Sequence, residues 1–333
     1  MSLNPMLIKR AIVLLLVAFT LLPASSLAQT FRRGEAPPEK VKPDTQCDVI
    51  FKNKKKWAAD IVGRTSSNTL KMRRQGQSGV IEYPIKDIAA IKWNTEIDEI
   101  EVLQNYDRGE YKLVIETVTE ATADMMRYSD IPNNLNKLLI LIPRGLYWDK
   151  QYDQLIKTAT DIMRPLRVVK GDIYDECNLL KILALQGLGK TGEADAALKK
   201  TEPLTRHDKL APLYWYAMAK SHLNANNLKE AHENVAQMVA FSGKEFDWLP
   251  PALWLSVEQQ IATTNFPVAL QIIDELDIVA QNTEWAVKAA TQQPRVKQMD
   301  EEHKRFLAEE RARLVAERNK DPRKIKKTPT LLD

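Results

Sequence analysis

Glycine is scarce in this chain, at 11 of 333 residues, and so are histidine, at four, and cysteine, at two. Few glycines beside 44% aliphatic and aromatic residues exclude a chain disordered over most of its length and favour helix. The histidines, at 207, 222, 232 and 303, do not cluster with metal-ligand spacing. Cys47 and Cys177 allow at most one bridge, which is no disulfide framework. They could pair in an oxidising compartment, but we read them as two buried small hydrophobes. No apolar run reaches the ~18–20 residues of a membrane span. The run at residues 11–22 makes about 18 Å of helix, against a hydrocarbon core of about 30 Å. Charge is nearly balanced, 48 Lys and Arg against 44 Asp and Glu, so the whole chain is not a polyanion binder.

The short apolar run has the layout of a secretory leader. Lys9 and Arg10 precede it, Pro23 breaks it, and Ser26-Leu27-Ala28 supplies small residues for cleavage. The expectation is a signal peptide over 1–28, mature protein from Gln29, and an exported chain with no membrane span after cleavage. An uncleaved anchor reaching Ala28 is the alternative. No cysteine follows the run, which argues against a lipid anchor. Removal of Lys9 and Arg10 lowers the net charge from +4 to +2. Residues 29–45, with three prolines and several charges, read as a linker.

From residue 46 the pattern alternates with period two. Residues 48–52, 57–63, 69–74, 80–83 and 88–93 form five short β-rich runs separated by turn residues. Five strands in so short a stretch cannot bury a face as an open sheet, so they are expected to curl into a small barrel over 46–94. Their order resembles the Sm-like and SH3-like barrels, a resemblance that implies a fold and no ligand. Ten Lys and Arg against four Asp and Glu give residues 46–93 a net charge of +6. Lys54, Lys55 and Lys56 sit at one hairpin tip, and Arg73 and Arg74 border another turn. Such a face could meet lipid headgroups or an acidic glycan. Nucleic acid is a partner that an exported protein would rarely meet. Lysines at exposed hairpin tips also guard sheet edges without binding anything.

After Trp93 the period becomes helical, and a pattern recurs: aromatic, small residue three later, then apolar residues after four and three more. It reads Tyr111, Val114, Val118, Ala121; then Tyr152, Leu155, Ala159, Ile162; then Thr191, Ala194, Leu198, Thr201. Two further copies are Leu228, Ala231, Val235, Met238 and Phe266, Ala269, Ile273, Leu276. Their second positions lie 41, 39, 37 and 38 residues apart. The fourth copy adds Trp215, Ala219 and His222 before Asn226-Asn227-Leu228-Lys229-Glu230-Ala231. Residues 95–285 thus resemble the tetratricopeptide repeat superfamily in lengthened form. The first two copies depart from it, with Val114 and Leu155 at the small position and Pro143 inside a first helix. The fold expected is mainly α: a right-handed superhelical solenoid of about five helix pairs after the barrel. Residues 286–318 read as a charged helix with Glu301–Arg305 and Glu309–Arg313 pairs, and 319–333 as a disordered basic tail.

Enzyme signatures fail on inspection. Gly187-Leu188-Gly189-Lys190-Thr191 has Ala184 where a phosphate loop needs glycine, and it falls at a helix turn. His232-Glu233 has Ala236 in place of a second zinc ligand. No catalytic residue, metal or cofactor is assigned. The resemblance implies a groove lined by each repeat's first helix: Glu176, Leu179 and Leu183; Leu213, Tyr216, Lys220 and Leu223; Trp254, Glu258 and Ile261. Of these, Leu183, Tyr216, Lys220, Trp254 and Glu258 are the candidate partner contacts, set against packing between neighbouring repeats. The expected function is a non-enzymatic scaffold for protein partners of a cell-envelope assembly. The alternative is docking of the basic barrel on an anionic polymer or membrane surface.

Overall fold

Alternating burial defines the strands β1 (Gln46–Phe51), β2 (Lys56–Ser66), β3 (Thr69–Arg74), β4 (Val80–Pro84) and β5 (Ile88–Trp93). In β1 the alternate residues Cys47, Val49 and Phe51 are buried while their neighbours stay partly open. The computed structural model describes residues 46–320 except 67, 168, 170, 242–247 and 282, all within one compact unit, Asp44–Asp333. The expected signal peptide and linker, and the tail from residue 321, lie outside the described residues.

All strand pairs are antiparallel, in the order β4-β3-β2-β1-β5. Irregularities between Ile61 and Gly63 and between Arg64 and Ser66 bend β2, as bulges do. The β4 side thereby folds over the β1 side, and Tyr83 meets Phe51 at 4.7 Å and Trp57 at 5.7 Å between ring centroids. The expected barrel does not close, because no ladder joins β4 to β5. The free edge of β5 is already taken. The Ile91 N–H donates to the Pro132 carbonyl at 2.9 Å, and Asn134 Oδ1 accepts from the Trp93 N–H at 2.8 Å. A strand pattern specifies alternation, not which neighbour claims an edge.

The same loop ties the sheet to the helices. Trp93 and Tyr128 pack ring to ring at 5.8 Å. Arg64 pairs with Asp130, Nη1 to Oδ2 at 3.0 Å, and its guanidinium lies 5.3 Å from the Tyr128 ring centre.

The helices follow as α1 (Glu99–Asp107), α2 (Tyr111–Thr122), α3 (Asn136–Leu139), α4 (Leu141–Trp148), α5 (Tyr152–Leu166) and α6 (Asp172–Gly187). Then come α7 (Thr191–Leu198), α8 (Ala211–Asn224), α9 (Leu228–Phe241), α10 (Leu249–Ala262), α11 (Phe266–Val279) and α12 (Glu284–Lys320). Consecutive helices pack in pairs and each pair packs on the next. Asp98 caps α1 by accepting from the Ile100 and Glu101 N–H groups. Pro143 falls in the first turn of α4, where a missing N–H costs no helical bond.

The second helices α2, α5, α7, α9 and α11 begin at the five residues that open the sequence pattern. Their anchors Val114, Leu155, Ala194, Ala231 and Ala269 are all buried. The turn before each is the same motif. Gly109, Lys150, Gly189, Asn226 and Thr264 have φ between +57° and +78° and donate to the carbonyl three residues back. The next residue (Glu110, Gln151, Lys190, Asn227, Asn265) donates to the carbonyl five back. These are Schellman caps, which favour glycine or asparagine at the left-handed position. Thr264, at φ +57°, is β-branched and unsuited to that region. Thr264→Gly is therefore expected to stabilise the fold by about 0.5–1 kcal/mol, read as a raised denaturation midpoint at unchanged m-value.

Helix α12 is one continuous helix of 37 residues, running through Pro294 and starting before the expected boundary. Its first part packs on α10 and α11 through Ala289 and Val296, as the first helix of a further pair would. Beyond His303, which meets Phe266 at 5.6 Å, Phe306 and Val315 are more than half exposed. Its ion pairs there include Lys304–Asp300 at 2.7 Å and Arg313–Glu310 at 3.2 Å, not the pairs read from the sequence.

Candidate functional site

The first helices α4, α6, α8, α10 and α12 touch one another in succession, so their facing sides form a continuous inner surface. That surface also turns back on itself. Trp148 at the end of α4 meets Trp285 of α12 at 6.3 Å, and Lys150 pairs with Glu284 at 3.4 Å. Between them Trp248 fills the interior, 4.7 Å from the Trp148 ring, 5.3 Å from Tyr147 and 5.7 Å from Tyr216. The inner side is therefore closed by the protein's own aromatic residues, rather than open as the groove reading expects.

What remains is a cavity of about 240 Å³. Its walls are the rings of Tyr147, Trp148, Tyr152, Tyr216, Trp254 and Trp285, and its charges are Lys150, Lys220, Glu258, Glu284 and Lys288. Four of the five candidate groove residues meet here: Tyr216, Lys220, Trp254 and Glu258. Tyr216 and Trp254 are 5% and 6% exposed, so each packs with one edge turned to the cavity. Leu183 is elsewhere, fully buried in α6 with Leu179 and Leu180. As core, it is not an accessible contact. Helical spacing alone put Leu183 on the groove side, and it does not tell how much of α6 its neighbours α4 and α8 cover.

The charges are arranged unevenly. Trp254 Nε1 donates to Glu258, and Lys288 lies 3.9 Å from the same carboxylate. The Lys288 ammonium also stands 4.2 Å from the centre of the Trp254 ring and 5.2 Å from that of Trp285. Lys150 is paired with Glu284. Lys220 has a cation–π contact with Tyr216 at 6.0 Å, but among the described residues no hydrogen bond or ion pair. Burial pulls the Lys220 pKa below its ordinary value, with Glu258 opposing, and acts likewise on Lys288 against Glu258 and Glu284. Burial pushes the hydrogen-bonded Tyr147 and Tyr216 hydroxyls up.

Trp148, Trp248, Trp285 and Lys288 escaped sequence reasoning. Trp248 lies between repeats, Trp285 at the expected end of the repeat region, and Lys288 in a stretch read mainly for its charge. The i, i+3 spacing of Trp285 and Lys288, with Ala286 and Ala289 between and after, was the available signal.

Gly187 matters at this wall. A Cβ there would sit 2.6 Å from the Tyr152 ring. Gly187→Ala is expected to push that ring toward the cavity and cost roughly 1–3 kcal/mol, measured by denaturant unfolding. The phosphate-loop look-alike that includes Gly187 and Gly189 is the turn between α6 and α7.

Larger hollows lie elsewhere on the described residues. One of about 580 Å³ has Arg144 and Glu176 in its lining, joined by an ion pair. One of about 490 Å³ shares Trp148, Glu284 and Trp285 with the cavity. Among the described residues no group of three His, Cys, Asp or Glu side chains is placed to hold a metal. Cys47 and Cys177 are buried and unpaired, and burial pushes the Cys47 thiol up to about 12. No described helix is long and apolar enough to cross a membrane.

The basic residues of the sheet lie toward one end of it, with Arg73 and Arg74 on opposite faces of β3. Lys54, Lys55, Lys56, Arg73 and Arg74 are all exposed. The β2–β3 register sets Arg73 and Arg74 beside Asp60 and Ala59, and the Arg74 guanidinium lies 5.4 Å from the Trp57 ring centre, next to Lys56. Lys56 itself is paired with Asp48 at 2.9 Å.

No family model matches the chain, and no curated protein matches it either.

Proposed function

We propose that this is an exported, non-catalytic scaffold whose helix pairs form a right-handed, tetratricopeptide-like superhelix that binds protein partners of a cell-envelope assembly. The single observation that supports this reading most is the cavity that remains on the otherwise closed inner side. Four residues from successive first helices, Tyr216, Lys220, Trp254 and Glu258, line one cavity edged by exposed charges. Rigid aromatic anchors beside a few charges are what a binding surface for protein side chains requires. The leader-like residues 1–28 support export, and the five repeated turns support the superhelix. The test is crosslinking in living cells, purification of the tagged protein and mass spectrometry of what is joined to it. A small reproducible set of envelope proteins is the expected result. Recovery of none would end the scaffold reading.

A second reading has its own observation, the exposure of Lys54, Lys55, Arg73 and Arg74 toward one end of the sheet. There the sheet docks on an acidic glycan or anionic lipid and the helices act as a spacer. Salt-sensitive sedimentation with anionic vesicles, lost when these four residues are replaced by glutamine, would favour it.

A further inference from the structure

We propose that the aromatic cavity is a binding site for a small one-ring carboxylic acid, with Lys220 as the residue that meets the carboxylate. The inference concerns the same cavity as the scaffold reading but does not rest on it, since a small ligand needs no protein partner.

Size limits the occupant. A cavity of about 150 Å³ is enough for benzene, so about 240 Å³ takes one ring with a short acidic arm. The Trp148–Trp285 contact lies where this cavity adjoins the neighbouring hollow, with which it shares Trp148, Glu284 and Trp285. Six aromatic rings offer faces and edges on which a planar or alicyclic body can stack.

Charge decides the sign of the ligand. A cationic guest is disfavoured because Lys288 already occupies the faces of Trp254 and Trp285. The carboxylates are engaged, Glu258 by Trp254 and Lys288, Glu284 by Lys150. Lys220 alone brings a charge with no acceptor, largely covered and lining the cavity. An unpaired ammonium there weakens the fold, and its lowered pKa reports the same cost. A carboxylate would relieve it, so acid binding and Lys220 protonation should reinforce each other. Affinity is accordingly expected to fall as pH rises through the lowered Lys220 pKa.

The test uses three probes of one shape: phenylacetate, its neutral amide, and benzylamine. Binding is followed by tryptophan fluorescence, since Trp148, Trp254 and Trp285 all line the cavity. Phenylacetate is expected to bind at least about tenfold more tightly than the amide, the scale of one charge-assisted hydrogen bond, and benzylamine to show no saturation. Lys220→Met should remove the preference for acid over amide and raise the melting temperature. Lys220→Gln serves if the methionine variant does not fold. Equal binding of acid and amide, tighter binding of the amine, or no saturation by any probe at millimolar concentration would overturn the proposal. A Phe-terminated tripeptide binding more tightly than phenylacetate would overturn it as well, making the occupant a chain end. The probes are read on the purified protein and the envelope partners on crosslinked cells, so either proposal can fail while the other stands.

Discussion

Trp248→Ala is expected to lower stability by about 3–5 kcal/mol, the range for deleting a buried tryptophan, with a broadened or biphasic unfolding transition. Trp248 is 4% exposed and touches Tyr147, Trp148 and Tyr216, which belong to α4 and α8. Removing it empties the place where non-consecutive helices meet. The cost is therefore more than one lost side chain: the Trp148–Trp285 contact and the exposed Lys150–Glu284 pair lose their support. An exposed pair of that kind contributes little alone, about 0–1 kcal/mol, so it cannot hold the closure. Denaturant unfolding with tryptophan fluorescence and circular dichroism recorded together would show loss of the closure before loss of helix. Loss of less than about 1 kcal/mol would mean that Trp248 is not packed as described.

The second large effect is expected at Arg144. Its Nε donates to Glu176, whose side chain is 7% exposed while that of Arg144 is 23% exposed. Arg144→Ala strands a buried carboxylate. Breaking a fully buried pair costs about 3–5 kcal/mol, and partial exposure of the arginine reduces this to about 2–3 kcal/mol. The pair as a whole contributes much less, because both charges were taken out of water to make it. The double variant Arg144→Met with Glu176→Leu is therefore expected to recover most of the loss. A double variant as unstable as the single one would show that Arg144 acts through packing instead.

How far these features could be read from the sequence varies from element to element. The second helices were legible to the residue, because Ala159, Val235 and Ile273 must face a neighbour at fixed helical spacing. The strand runs were legible for a similar reason, since Cys47, Val49 and Phe51 alternate with exposed positions. Closure was not legible, either of the barrel or of the inner groove. It depends on which distant segment reaches an edge first. Pro132 and Asn134 claim β5, and Trp248, Trp285 and Lys288 fill the space between helices, and neither event leaves a periodic trace. The candidate site was legible only in part: Tyr216, Lys220, Trp254 and Glu258 line one cavity, while most of the residues that shape it, Tyr152 excepted, came from outside the repeat pattern.

The most direct measurement for the scaffold is capture of crosslinked partners from cells carrying charge reversals at two places. One protein carries Lys220→Glu with Lys288→Glu, and the other carries Lys54, Lys55, Arg73 and Arg74 each replaced by glutamate. Both variants keep the Tyr216 and Trp254 side chains, and circular dichroism first verifies that each is folded, because the first places two further carboxylates beside Glu258 and Glu284. The expected result is that the first variant loses its envelope proteins while the second retains them. Retention by the first and loss by the second would contradict the scaffold and assign binding to the basic sheet.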